Sequence, residues 1–80
     1  MSNGKQTTLT GMQAGQSGVI SEIQGGYRML NRLSALGIRP GKRITKVSSM
    51  VMRGPTTIEV DRAQVAIGHG MARRIIVDLA

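Results

Sequence analysis

The sequence contains no cysteine, phenylalanine or tryptophan, and Tyr27 is its single aromatic residue. Without cysteine, neither a disulfide nor a thiolate metal site can supplement the core of this 80-residue chain. With only one aromatic side chain, both the aromatic groove that binds proline-rich peptides and the stacking platform for single-stranded nucleic acid are disfavoured. We therefore expect one small domain, suited to a reducing compartment and without a nucleic-acid partner.

Acidic and nucleophilic groups are also scarce, with four Asp and Glu and one His in the chain. Glu59 and Asp61 lie two residues apart on a predicted strand and are best interpreted as a solvated face beside nearby arginines. His69 has no companion ligands in the sequence around it, so it is a weak metal candidate at most. The glycines do not match a phosphate-binding loop. We expect no enzyme activity and no cofactor.

Long apolar runs are missing as well. The longest, which include 50–52 and 75–77, have only three residues, far fewer than the roughly 20 residues that span a bilayer. Residues 1–8 are polar and contain no apolar stretch of signal-peptide length, so we expect a flexible leader there and a domain over 9–80. These features predict a cytoplasmic protein.

Positive charge is the feature that the chain has in excess. Eleven Lys and Arg outnumber the four acids and give a formal net charge of +7. Such a surface favours acidic partners and accelerates their encounter at low salt. The charge alone does not choose between nucleic acid, an anionic membrane and an acidic protein.

One helix is predicted over 27–36, where apolar residues recur at helical spacing at Met29, Leu30, Leu33 and Leu36. Gly37 can adopt the left-handed conformation that ends a helix. Ile38 can fold back onto the last turn, and Pro40 prevents the helix from resuming.

The rest of the chain predicts short strands. They cover 19–23, 42–50, 57–61, a segment around Val65 and Ile67, and 75–79, with a single helical turn at 68–72. Val19 and Ile23 are expected to share the inward face, and a bulge would reconcile Ile44 with Val47. Leu9 and Met12 should tie the preceding segment to the core. We predict a mainly β fold: a five-stranded SH3-like barrel, with one helix between strands 1 and 2 and a short helical turn before the last strand.

The order of these segments resembles the FeoA family, small cytoplasmic accessory proteins of bacterial ferrous iron uptake. The resemblance covers 9–80 and is strongest in the Leu-Gly-Ile-Arg-Pro-Gly run of 36–41 and in the Val-Ala-Ile-Gly run of 65–68 with Ala72. It implies an SH3-like fold and one partner, FeoB, a membrane permease with a cytoplasmic guanine-nucleotide-binding domain. Two residues depart from the family pattern: Lys46 stands where an apolar residue is more usual, and Met71 stands where an acidic residue is frequent. These changes add positive or apolar character to surfaces that could contact a partner.

The resemblance and the charge together suggest where a partner would bind. One candidate surface combines the helix, through Arg32, with the cluster Arg39, Lys42 and Arg43. The other is the hairpin end with Met50, Met52 and Arg53, although residues 50–51 could instead complete the core. A homodimer is compatible with so small a core.

Two other functions compete with this one. SH3-like domains also form the carboxy-terminal module of metal-dependent repressors, so the chain could be a stand-alone regulatory module. A basic RNA-associated barrel is favoured by the charge and disfavoured by the missing aromatic side chains.

Overall fold

The computed structural model describes residues 5–49 and 54–79. Its strands are β1 (Gln6–Thr8), β2 (Ser17–Ile23), β3 (Arg43–Ser49), β4 (Thr56–Val60), β5 (Ala63–Ile67) and β6 (Ile75–Leu79). Helix α1 (Tyr27–Ala35) lies between β2 and β3, and the one-turn helix α2 (His69–Ala72) precedes β6. A 3₁₀ turn (Leu9–Gly11) follows β1. All strand pairs are antiparallel, in the order β1-β6-β2-β3-β4-β5.

This architecture confirms the mainly β prediction and the positions of both helices, but the five-stranded barrel needs two corrections. The sheet has six strands, and among residues 5–49 and 54–79 no pairing joins β1 to β5, so it is not closed. The additional strand, β1, falls within the predicted flexible leader. It is held by antiparallel pairing with β6, continued by a hydrogen bond from the Leu79 N–H to the Lys5 carbonyl (2.9 Å).

A single apolar core lies against the sheet. It contains Leu9, Met12, Ile20, Ile23, Leu33, Ile38, Ile44, Ile58, Val60, Ile67, Ala72, Ile75 and Val77. Leu9 and Met12 are buried as expected, which fastens the 3₁₀ turn to the sheet. Every helix and strand except β1 therefore contributes at least one of its own residues to the core.

The inward face of β2 differs from the prediction. Ile20 and Ile23 are buried, whereas Val19 is 37% exposed. Two inward residues three positions apart need an interruption of the strand period, and the register against β6 does shift between Ile20 and Glu22. The bulge at Ser21 moves the inward face by one residue, so the expected pairing of Val19 with Ile23 on one face is wrong.

The bulge expected in β3 is present, but it does not bring Ile44 and Val47 onto the same face as expected. The register against β4 shifts between Lys46 and Ser48, which places the irregularity at Val47. Val47 is exposed, while Ile44 and Lys46 are both buried. Strict alternation thus holds from Ile44 to Lys46, and Lys46 adds no charge to the surface, contrary to the expectation from the sequence.

Helix α1 ends as the sequence predicts. The Ile38 N–H donates to the Leu33 carbonyl and the Gly37 N–H to the Ser34 carbonyl, each at 2.9 Å. This pair of bonds defines a Schellman motif, in which Gly37 has φ +86° and Ile38 packs back into the core beside Leu33. Local chemistry alone therefore fixes the end of α1.

The hairpin between β4 and β5 turns through Asp61 and Arg62, with φ values of 52° and 67°. Positive φ at both central residues is the geometry of a type I′ turn, which matches the twist of the flanking strands but favours Asn, Asp or Gly. Here neither residue is glycine, and each carries a Cβ in the left-handed region, which costs of the order of 1 kcal/mol.

Arg62→Gly is therefore expected to raise the free energy of unfolding by about 0.5–1 kcal/mol, since glycine adopts this φ without steric cost. Arg62→Ala is the matched control, because it removes the same charge and keeps the Cβ. Urea denaturation of both variants measures the difference. Equal stability of the two variants would contradict the attribution to backbone strain.

In the part of the chain that the structure describes, neither helix has the length and apolar character required to cross a bilayer.

Candidate functional site

The side chains that could carry catalysis or bind a metal are dispersed. No group of three or more His, Asp or Glu converges anywhere within 5–49 and 54–79. His69 is the first residue of α2 and is half-buried. Glu59 is exposed on β4 opposite Gln64, whereas Asp61 lies in the following turn. Two grooves border helix α1.

The first surface, the methionine groove, lies between α1 and α2. Its lining residues are Arg28, Met29, Arg32 and Met71, and its volume is about 560 Å³. Arg28 and Arg32 are four residues apart, which places them one turn apart on the same side of α1. Met29 and Met71 are half-buried and pack against the core, so the groove has an apolar floor and a basic rim.

The second surface, the tyrosine groove, lies on the β2 side of α1 and has a volume of about 430 Å³. Tyr27 is 79% exposed at its edge, and Leu30 and Ile38 line its apolar part. Glu22 and Arg39 supply charges of opposite sign within the same groove. Electrostatically this groove is mixed, unlike the methionine groove.

A third depression adjoins the methionine groove. It is lined by Gln24, Arg73 and Arg74. The Gln24 N–H donates to the Arg74 carbonyl (2.8 Å), which holds the turn after β2 against the segment after α2. A Cβ at Gly25 would lie 2.6 Å from Met29 Sδ, so the same turn also borders the methionine groove. Arg73 and Arg74 thus lie close to the turn that borders the methionine groove.

The partner-binding residues predicted from the sequence do not form one cluster. Arg32 lines the methionine groove, whereas Arg39 lines the tyrosine groove. Lys42 and Arg43 lie at the start of β3, where Arg43 pairs with Val19 of β2. The hairpin residues Met50, Met52 and Arg53 lie outside the described residues.

Lys42 is already engaged within the chain. Its Nζ is 2.8 Å from Asp61 Oδ2, and this is the one ion pair among residues 5–49 and 54–79. The hairpin turn thus neutralises part of the predicted Arg39/Lys42/Arg43 cluster. Met71 was expected from the sequence to add apolar character to a contact surface, but Arg28 and Met29 were not among the predicted partner-binding residues. The four-residue spacing of Arg28 and Arg32 was a signal for Arg28.

Lys46 is the most unusual charged residue of the fold because its side chain is only 1% exposed. Its Nζ donates to the carbonyls of Leu9 (3.1 Å), Thr10 (3.3 Å) and Met12 (2.6 Å). Burial lowers the pKa of this amine below 10.5, since desolvation penalises the charged form. With its three hydrogen atoms donated to the chain's own carbonyls, Lys46 has a structural role.

Comparison with known proteins places this geometry in a family. The family model described as FeoA domain matches residues 7–79. A protein of Methanocaldococcus jannaschii that carries the provisional name Fe(2+) transport protein A is 28% identical over 64 residues, which cover 80% of this chain and 76% of the relative.

Solved structures agree with this relationship. The crystal structure of an iron uptake regulatory protein (FeoA) superposes with a TM-score of 0.86 at 33% identity, covering 95% of this chain and 99% of that one. The FeoA protein from Chlorobium tepidum gives 0.83 at 16% identity, with 91% and 70% coverage. A manganese-dependent transcriptional repressor gives 0.87 at 22% identity, but this chain spans only 44% of it, so that likeness shows the fold alone. The SH3-like fold class is confirmed.

Proposed function

Because the chain belongs to the FeoA family, we propose that it is a non-enzymatic accessory protein of ferrous iron uptake that binds the cytoplasmic part of a FeoB-type permease and modulates transport. The observation that carries the proposal is the match of the FeoA domain to residues 7–79, nearly the whole chain. Iron is then the cargo of the permease, and the chain acts from the cytoplasmic side without a resident cofactor.

The charge distribution supports a protein-binding role. With a net charge of +7, association with an acidic surface is accelerated and becomes sensitive to ionic strength. Within 5–49 and 54–79, no group of three or more His, Asp or Glu forms a metal-binding cluster, so the protein-binding role rests on the surface and its charge. The chain could also bind the permease as a homodimer. The titration described below reports the number of chains bound per permease.

Titration calorimetry with the isolated cytoplasmic part of the cognate permease tests the proposal. We expect binding at about 50 mM salt and an approximately tenfold weaker Kd at about 500 mM, where the Debye length falls to only a few ångströms. No heat of binding at either salt concentration would contradict the proposal.

The two competing functions are distinguished in parallel. Submicromolar retention of mixed RNA at physiological salt would favour the RNA-associated barrel, because phosphate contacts persist without aromatic stacking. The resemblance to repressor domains is one of fold, so it does not by itself support a regulatory function. Binding to the permease together with failure to retain RNA would support the accessory role.

A further inference from the structure

We propose that the partner contacts this chain through the methionine groove and the arginines beside it, and that the contacting segment is acidic with an apolar side chain at its centre. This inference rests on the proposed binding to a FeoB-type permease and specifies the surface used. It keeps Arg32 from the surface expected from the sequence and leaves out Arg39, Lys42 and Arg43.

The first argument is the charge that the fold leaves uncompensated. Arg28 and Arg32 border the methionine groove, and Arg73 and Arg74 border the adjoining depression. None of these four takes part in an ion pair within 5–49 and 54–79. Their guanidinium groups are suited to bidentate binding of carboxylates, which a partner would have to provide.

The chain's own acids lie elsewhere. All four are in the described part: Glu22 in the tyrosine groove, Glu59 on β4, Asp61 in the β4–β5 turn and Asp78 on β6. None lines the methionine groove or the depression beside Gln24. In contrast, Arg39 lines the tyrosine groove together with Glu22, and Lys42 is paired with Asp61.

The second argument is the apolar floor. Met29 and Met71 are half-buried and come from two different helices, and methionine adapts its shape to a partner side chain more readily than branched residues do. A Cβ at Gly25 would lie 2.6 Å from the Met29 sulfur, so the glycine lets this side chain pack close to the backbone at the edge of the groove. A groove of about 560 Å³ has room for a large apolar side chain between the arginines.

Both arguments together favour an acidic protein segment over other anions. An RNA backbone offers phosphates to the arginines but has no apolar group for the floor, and its bases would find no aromatic platform here. An apolar anchor surrounded by charged contacts is the usual arrangement of a protein interface.

Two matched variants, each with two charges reversed, test the inference through their affinity for the cytoplasmic part of the permease. Arg28→Glu/Arg32→Glu changes the methionine groove, and Arg39→Glu/Arg43→Glu changes the other cluster by the same total charge. All four side chains are exposed, so both variants are expected to fold, which thermal unfolding verifies. We expect the first variant to weaken binding at least about 30-fold and the second at most about threefold, since complementary contacts should outweigh the change in steering.

The outcomes separate the two levels of proposal. Absence of binding by the wild-type chain would overturn the proposed function, and this inference with it. Binding that is lost in the Arg39/Arg43 variant but kept in the Arg28/Arg32 variant would overturn only the inference. Equal weakening of both variants would also overturn it, because the effect would then be one of net charge.

A third variant examines the floor without changing the charge. Met71→Ser is expected to weaken binding about tenfold by removing apolar contact. Because Met71 also packs against the core, binding is measured well below the melting temperature of the variant. Unchanged binding by this variant would contradict the part of the inference that places an apolar side chain of the partner in the groove. Phosphatidylglycerol vesicles provide a competing anionic surface. If the wild-type chain bound these vesicles more tightly than the permease, and Arg28→Glu/Arg32→Glu lost the vesicle binding, the arginines would be assigned to a lipid surface. That result would overturn the inference.

Discussion

Lys46→Ala is expected to lower the free energy of unfolding by about 3–5 kcal/mol, a large part of the stability of so small a domain. The substitution removes a fully buried side chain and leaves a cavity beneath β3. It also leaves the carbonyls of Leu9, Thr10 and Met12 without the donor that all of them share. Urea denaturation measures the loss.

The main chain of Lys46 bears on the same segment. Its N–H donates to the Gln16 carbonyl (2.9 Å) and its carbonyl accepts from the Gly15 N–H (2.7 Å). Residues 9–16 are thus joined to β3 by both the backbone and the ammonium group. Amide exchange in 9–16 should rise more than in β4 when the side chain is truncated.

Lys46→Met is the matched control, because it restores most of the volume without the donor. We expect it to cost about 1–2 kcal/mol, the penalty for the unpaired carbonyls alone. A methionine variant as unstable as the alanine variant would show that the hydrogen bonds outweigh the packing. An alanine variant of wild-type stability would contradict the structural role of Lys46.

The pH dependence follows from the lowered pKa of Lys46. As pH rises, the folded chain releases this proton before the unfolded chain does, because the unfolded pKa stays near 10.5. The unfolded state then binds more protons, so the contribution of Lys46 to stability increases between its lowered pKa and 10.5. Subtracting the Lys46→Met curve isolates this contribution, since Lys5 and Lys42 are common to both proteins. A flat difference curve would contradict it.

The parts of the fold that could be predicted from the sequence depend on short-range interactions. The end of α1 was predicted correctly because Leu33, Gly37 and Ile38 interact within one stretch of chain. The prediction of the inward face of β2 was wrong because the bulge at Ser21 depends on how β2 pairs with β6, a strand that is distant in sequence. Strand β1 was missed because its residues are polar and are ordered by edge pairing.

The candidate site divides in the same way. The spacing of Arg28 and Arg32 in the sequence indicates a shared helix side. Their proximity to Met71 depends on how α1 and α2 pack, which periodicity does not report. The burial of Lys46 could not be anticipated either, because it requires three carbonyls from a turn that lies about 35 positions earlier in the sequence.

Gly18→Ala is expected to lower the free energy of unfolding by about 2–3 kcal/mol through overpacking between β2 and β6. A Cβ at this buried position would lie 2.5 Å from Val77 Cγ1 and 2.6 Å from the Asp78 carbonyl oxygen. Val77 is part of the core and Asp78 is held by strand pairing, so neither can move without disturbing the sheet. Chemical denaturation gives the magnitude, and the glycine is required here for close approach of the strands.

Gly70→Ala provides the matched control for the same chemical change. Gly70 lies within α2, and no atom comes within 4 Å of a Cβ built there. Alanine should stabilise that helical position by up to about 1 kcal/mol, because it has the higher helix propensity and restricts the unfolded chain. One added methyl group is thus expected to act with opposite sign at the two glycines. A Gly18→Ala variant as stable as Gly70→Ala would mean that β2 and β6 can separate at low cost, so that their close packing does not limit stability.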